Sequence, residues 1–495
     1  MTICLTGSGL TTDDVIRVAR EGGFVDLSDK AVLQIDRASS FVTQIVDHGI
    51  PVYGINTGFG SLCNVPINRG DLNRLQENLI MSHAVGVGPF FAEDEARAAM
   101  LVRANTLASG HSGVRLEVER LLLALLNEHV YPLIPRQGSL GASGDLAPLA
   151  SLALVLIGKG TAQVHGQVLH GPEVLRAIGQ TPATLGAKEG LALINGTAVM
   201  TGVAALVLAD AEHLLHLANM AAALTMEALR ARLEPFDPRI AGLRRHAGQE
   251  SVAGEVLAYL NHSKLTGTCD EVQDAYSIRC VPQVHGAVAD TLTFVSSVLA
   301  SELNAVTDNP LLFPDDGDVL SGGNFHGEPV ALAMDYLGIA LAELASISER
   351  RTNRLLNPAL SRGLPAFLTA NAGLNSGLMI AQYTQAALVS ENKVLAHPAS
   401  VDSIPVSADQ EDHVSMGTIA ARKARSIADN VENVLAIELL AACQAVGIRA
   451  REQDLGTATG NVFAAIRQVV PPMDGDRMYI DDVNAVRTLI HTNAI

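Results

Sequence analysis

A chain of 495 residues is roughly three times the ~150 of a typical single domain, so a large buried core is within reach. Its 52 acidic residues outnumber 34 basic ones, giving a formal charge of −18. That balance argues against nucleic acid, which needs clustered Lys and Arg, and against an anionic membrane surface. The five cysteines (Cys4, Cys63, Cys269, Cys280 and Cys443) form no CxxC pair. An odd, scattered set fits buried thiols in a reducing, cytoplasmic compartment better than a disulfide framework.

The first residues, "MTICLTGSGLTTDD", lack a basic segment followed by an apolar one, so no signal peptide is expected. Residues 1–190 are broken often by Gly and Pro, which predicts short helices. Within them lies "RQGSLGASGDLAPLAS", residues 136–151, a Gly-rich turn ahead of an apolar run. A phosphate loop would need GxxxxGK[ST], and no Lys follows these glycines. A hydrolase elbow would need GxSxG, but Asp145 stands where the last Gly belongs.

From Leu191 to Ala209 about 19 residues pass without a charge, near the length of a membrane span. Asn195, Gly196, Thr197, Thr201 and Gly202 interrupt the run, and it reads as the buried start of a helix. His213 and His216 lie one helical turn apart, without a carboxylate motif beside them, so no metal site is expected. Residues 197–233, 284–304, 329–357 and 414–446 repeat apolar positions at three and four, which predicts long helices. The fold class is therefore mostly α, with a smaller part over residues 1–190 and an elongated helical bundle over 191–495. Ala- and Gly-rich helix faces further suggest surface buried between subunits.

The remaining oddity is Ala142-Ser143-Gly144. Attack of the Gly144 nitrogen on the Ala142 carbonyl would close a five-membered ring, and loss of water from Ser143 would leave a conjugated methylene. Alone, the tripeptide reads more readily as a tight turn capping the helix that begins near Asp145. The rest of the chain decides between the two. "YGINTGFG" (53–60), "NLIMSHAVGVG" (78–88), "GSLGASGDLAPLA" (138–150), "LINGT" (193–197), "VQDAYSIRCVPQVHG" (272–286), "NAVTDNPLLF" (304–313), "SGGNFHGEPVA" (321–331) and "DSIPVSADQEDHVSM" (402–416) occur in order. With these motifs the sequence resembles the aromatic amino-acid ammonia-lyases nearly end to end, and their histidine-specific branch most closely.

The resemblance implies a homotetramer built on a fumarase- and aspartase-like bundle. It also implies a methylidene-imidazolone formed from Ala142, Ser143 and Gly144, with no external cofactor. Ordinary acid–base catalysis contributes about 10²–10⁴-fold, too little for a poor leaving group and a weakly acidic β-proton. The resemblance makes Tyr53 the base for that proton and Arg279 the clamp for the substrate carboxylate. It sets Tyr276 and Asn195 beside the prosthetic group, polarising it by hydrogen bonds, and adds Gln273 and Phe325 to the pocket. His83 and Glu411 stand where phenylalanine-specific members have Leu and Gln, and both could hydrogen-bond an imidazole. Glu411 could also assist proton transfer. The implied reaction releases ammonia from L-histidine to give trans-urocanate, the alternative being a tyrosine or phenylalanine lyase or a 2,3-aminomutase. Ser151 and Asp409 depart from the histidine-type pattern, which usually has His and Asn there.

Overall fold

The computed structural model describes residues 2–495. Helices dominate. In chain order the ones that matter here are α1 (Asp29–His48), α2 (Leu72–His83), α3 (Glu93–Ala108), α4 (Leu146–Leu156), α5 (Glu189–Ile194), α6 (Ala198–Ala228), α7 (Val281–Glu302), α8 (Glu328–Leu356), α9 (Met379–Leu395) and α10 (Gly417–Arg449). Among the described residues the strands are three or four residues long and form four small sheets, including a parallel pair, Thr2–Leu5 with Phe24–Leu27.

The four long helices fall where apolar periodicity places them. α6 ends before residue 233 because Arg230 turns left-handed at φ 55°. The N-terminal part is less fragmented than expected. α1 runs for 20 residues, capped at its start by the Ser28 side chain and closed by left-handed Gly49. α3 carries no readable period, because every residue from Glu95 to Ala108 is buried and no polar face marks one.

The chain does not divide by one cut near residue 190. One compact unit comprises residues 1–209, 296–335 and 398–422, and the other 210–295, 336–397 and 423–495. The reason lies in the long helices, since α6, α7, α8 and α10 each begin in one unit and end in the other.

Residues 191–208 are buried, as expected, but they are not one helix start. α5 stops at Ile194, and Asn195-Gly196-Thr197 separates it from α6. α6, α7, α8 and α10 are long and apolar enough to cross a membrane by length and composition alone. Protein atoms already cover 78 % of the most apolar stretches of α6 and α10 and 67 % of that of α8, against 39 % for α7. α9 is inverted. Its buried residues are Gln385 and Asn392, while Ile380, Tyr383 and Val394 are exposed.

In the second unit the helices are tied by one buried polar network. Glu438 of α10 accepts from Arg351 Nε at 2.5 Å and Nη2 at 2.8 Å, from Ser348 at 2.6 Å and from Thr225 at 3.0 Å. Arg351 Nη1 also lies 3.2 Å from His285 Nε2, and His285 Nδ1 lies 2.7 Å from Asn219 Oδ1. Burial, with Arg351 adding, holds the His285 imidazole well below its usual range, so it is neutral and accepts from the guanidinium. His213 and His216 take separate partners, the Ile490 carbonyl and Glu255.

Both Arg351 and Glu438 are fully buried. Glu438→Ala strands a guanidinium in the core and should cost about 3–5 kcal/mol, read as a lower thermal midpoint. Replacing both residues with Met should cost much less. Equal losses in the single and double variants would show that the pair itself is not what the core depends on.

Candidate active site

The Gly-rich turn is fixed by backbone before any side chain acts. Gly144 pairs with Gly196 in a parallel bridge. The Gly196 N–H donates to the Ser143 carbonyl at 3.1 Å, and the Asp145 N–H donates to the Gly196 carbonyl at 2.7 Å. Gly144 has φ 74°, and a Cβ there would sit 2.1 Å from the Gly196 oxygen. A Cβ on Gly196, at φ 127°, would likewise sit 2.0 Å from the Thr307 oxygen. Only glycine allows this approach.

Asp145 then locks the turn. It is fully buried, yet it does not cap its own helix, α4. Its carboxylate accepts from the Val199 and Met200 amides at 2.9 and 2.8 Å, capping the first turn of α6. The other oxygen accepts from Ser139 at 3.0 Å and from Thr418. Burial raises its pKa, and the Thr418, Met200, Ser139 and Val199 donors oppose that rise.

Ala142, Gly144 and Asp145 are buried while Ser143 is partly open. Ser143 reaches a cavity of about 910 Å³, whose walls include Tyr53, His83, Asn195, Phe325 and Glu411. Six of the expected site positions are thus brought together: Tyr53, His83, Ser143, Asn195, Phe325 and Glu411.

Glu411 comes from a turn in which Val406 and Glu411 exchange backbone hydrogen bonds of 3.0 and 3.3 Å. Ser407, Ala408 and Asp409 all have positive φ inside it, 54°, 51° and 62°. Asp409, like the Asn it replaces, tolerates that conformation better than most residues. Burial raises the Glu411 pKa, and the Ser143 side chain nearby pulls it down.

Tyr53 accepts a long hydrogen bond, 3.5 Å, from the Gly60 amide. Burial pushes its phenol up, the Gly60 amide pulls it down, and nearby Glu411 adds to the rise. His83 ends α2 with Nδ1 2.8 Å from the Leu79 carbonyl. That carbonyl can only accept, so Nδ1 carries the proton and Nε2 keeps its lone pair. Burial lowers the His83 pKa against the pull of Leu79, which keeps the ring inclined to neutrality.

Asn195 differs from its expected role. Both protons of its side-chain nitrogen are committed, to Asp308 Oδ1 and the Asn309 carbonyl, each at 3.1 Å. Its Oδ1 is buried without a partner, so Asn195 offers an acceptor and not a donor. Behind it, Lys188 and Asp308 form a fully buried ion pair at 2.8 Å. Arg103, also buried, donates to the Asn195 carbonyl at 2.6 Å. Sequence reading missed Lys188, Asp308, Arg103 and the true partners of Asp145. A buried Lys or Arg looks like a solvated one until its neighbours are known.

Gln273, Tyr276 and Arg279 do not line this cavity. They form their own cluster on the second unit, around the one-turn helix Tyr276–Arg279. Arg279 donates to Gln273 Oε1 and lies over the Tyr276 ring at 4.5 Å, and Tyr276 is 70 % exposed. Ser151 is not a wall of the cavity, and its hydroxyl donates back to Ala147 within α4 at 3.2 Å.

Residues 10–468 match the profile of the aromatic amino acid lyase family. The histidine ammonia-lyase of Symbiobacterium thermophilum is 54 % identical over 491 residues, 99 % of this chain and 96 % of that protein. A crystal structure of histidine ammonia-lyase from Trypanosoma cruzi superposes with a TM-score of 0.93 at 45 % identity, covering 100 % of this chain and 94 % of that one. Tyrosine aminomutase from Streptomyces globisporus matches at 0.96 and 40 % identity, covering 100 % and 97 %. The fold is therefore shared by enzymes with different reactions, and the pocket must distinguish them. On sequence and structure together, the chain belongs to the aromatic amino acid lyase family.

Proposed function

We propose that the chain is a histidine ammonia-lyase, releasing ammonia from L-histidine to give trans-urocanate. The observation that carries this reading is that His83 and Glu411 share one cavity with Ser143. A phenyl ring would leave both polar groups unpaired, whereas an imidazole offers one nitrogen that donates and one that accepts. Neutral His83 with its free Nε2 accepts from the imidazole N–H.

The residues at 142–144 fit a methylidene-imidazolone. Ring closure between the Gly144 nitrogen and the Ala142 carbon makes the Ser143 carbonyl the ring oxygen, and that oxygen already accepts from the Gly196 amide. When formed, the group supplies an electrophile that makes ammonia a better leaving group. Asn195 Oδ1 accepts from the substrate ammonium. Tyr53, once it has lost its proton, takes the β-proton. Its raised pKa places that form on the alkaline side, so the step favours higher pH. Glu411, raised by burial, can hold a proton for transfer.

The working form is a homotetramer in the cytoplasm, without nucleic acid or membrane as partner. Exposed apolar residues on α9 and the sparse cover of α7 support association, and all five cysteines are free. Arg279, Tyr276 and Gln273 complete the pocket of another copy, where the planar guanidinium grips the substrate carboxylate.

Three measurements test this reading. Peptide mass at residues 142–144 should fall by one water for ring closure and another from Ser143, and Ser143→Ala should keep its helical content but lose turnover. Unmodified mass in fully active protein would overturn the prosthetic group. Next, His83→Leu and Glu411→Gln should depress kcat/KM for histidine steeply, and that for tyrosine or phenylalanine less. A hydrogen-bonding site can discriminate by about 10⁴–10⁵. Uniform losses would instead point to general catalysis and leave the aminomutase-like alternative standing. Finally, co-expressed Ser143→Ala and Arg279→Ala chains should regain activity that neither has alone. No recovery would place Arg279 and Ser143 of one chain in the same site.

A further inference from the structure

We propose that His326, Glu328 and His413 form a binding site for a divalent transition-metal cation, for which Zn²⁺ is the best match. One nitrogen of each imidazole and one carboxylate oxygen all lie within 4.8 Å of one another. Two imidazoles and a carboxylate are a donor set that suits Zn²⁺, with a fourth position left for water. Tetrahedral bonds of ~2.0–2.1 Å need donor separations of about 3.4 Å, so separations of up to 4.8 Å must close by up to about 1.4 Å. His413 is exposed and can move that far by a side-chain rotation.

Two further features favour a cation. Glu328 Oε2 is buried and has no hydrogen-bond partner, an arrangement that is costly for a carboxylate unless a positive charge answers it. Both ligand-bearing segments are also wedged against one side chain. A Cβ on Gly327 would lie 2.4 Å from Met200 Sδ, and one on Gly417 would lie 2.5 Å from it. Their backbones are therefore held while the side chains converge, as a metal site requires.

The cation would act on the pocket through the chain. His326 follows Phe325 directly, and His413 follows Glu411 by two residues. Joining them would fix two walls of the cavity against each other. His326, Glu328 and His413 are positioning residues in this scheme and touch no reacting atom.

Full-length protein, stripped with a chelator and dialysed, is titrated with Co²⁺ and then with Zn²⁺ as competitor. Wild type should bind about one Co²⁺ per chain with the visible absorption of nitrogen and oxygen ligands and without thiolate charge transfer. Zn²⁺ should displace it and raise the thermal midpoint. His413→Ala and the near-isosteric Glu328→Gln should each weaken binding at least about 10-fold, the loss that even outer-sphere changes produce. Circular dichroism of both variants shows whether they keep the fold. Absence of uptake by wild type, a thiolate band, or unchanged affinity in folded variants would each overturn the site.

Discussion

The Asp145 carboxylate is the group on which the geometry of the pocket depends. It is buried, and it joins three pieces of chain remote in sequence: the Gly-rich turn, the first turn of α6 and Thr418 at the start of α10. Two free amides at the α6 N-terminus have no intrahelical acceptor, and the carboxylate supplies one. Because Asp145 directly follows Gly144, capping α6 also presses Gly144 onto Gly196. The strained backbone approach is thus sustained by a charge–dipole interaction and not by local preference.

A second layer of buried charge sets the opposite wall. Lys188 and Asp308 are paired out of contact with water, and Asp308 dictates which way the Asn195 amide points. Burial lowers the Lys188 pKa, with Asp308 opposing the shift. An uncharged core would pack as well there but would not choose one orientation of an amide. The orientation of the Asn195 amide is therefore a property of its neighbours.

Much of this was legible in the sequence wherever residue chemistry is local. The Ala-Ser-Gly turn, His83, Glu411 and the four long helices were all readable from motif or period. Features that depend on distant partners were not. Asp145 reads as a cap for the helix that follows it, yet it caps one that begins at Ala198. α9 carries its apolar residues outward and buries Gln385 and Asn392, so its pattern contradicts the usual rule for a helix in a single chain. The motif assigns Arg279 and Tyr276 to a pocket, but nothing in it says that neither lines the cavity around Ser143. The His326, Glu328 and His413 cluster joins two segments with no shared motif.

The dispersed composition of the first unit has a consequence for how the protein is made. Thr418 lies 273 residues after Asp145, and a ribosome adding roughly 5–20 residues per second needs on the order of tens of seconds to cover that gap. For most of that interval the Gly-rich turn has left the ribosome while Thr418, its hydrogen-bond partner through Asp145, is still to be made. Backbone cyclisation at residues 142–144, if it needs that contact, belongs to the last stage of synthesis. A nascent chain released early would then carry ordinary alanine, serine and glycine.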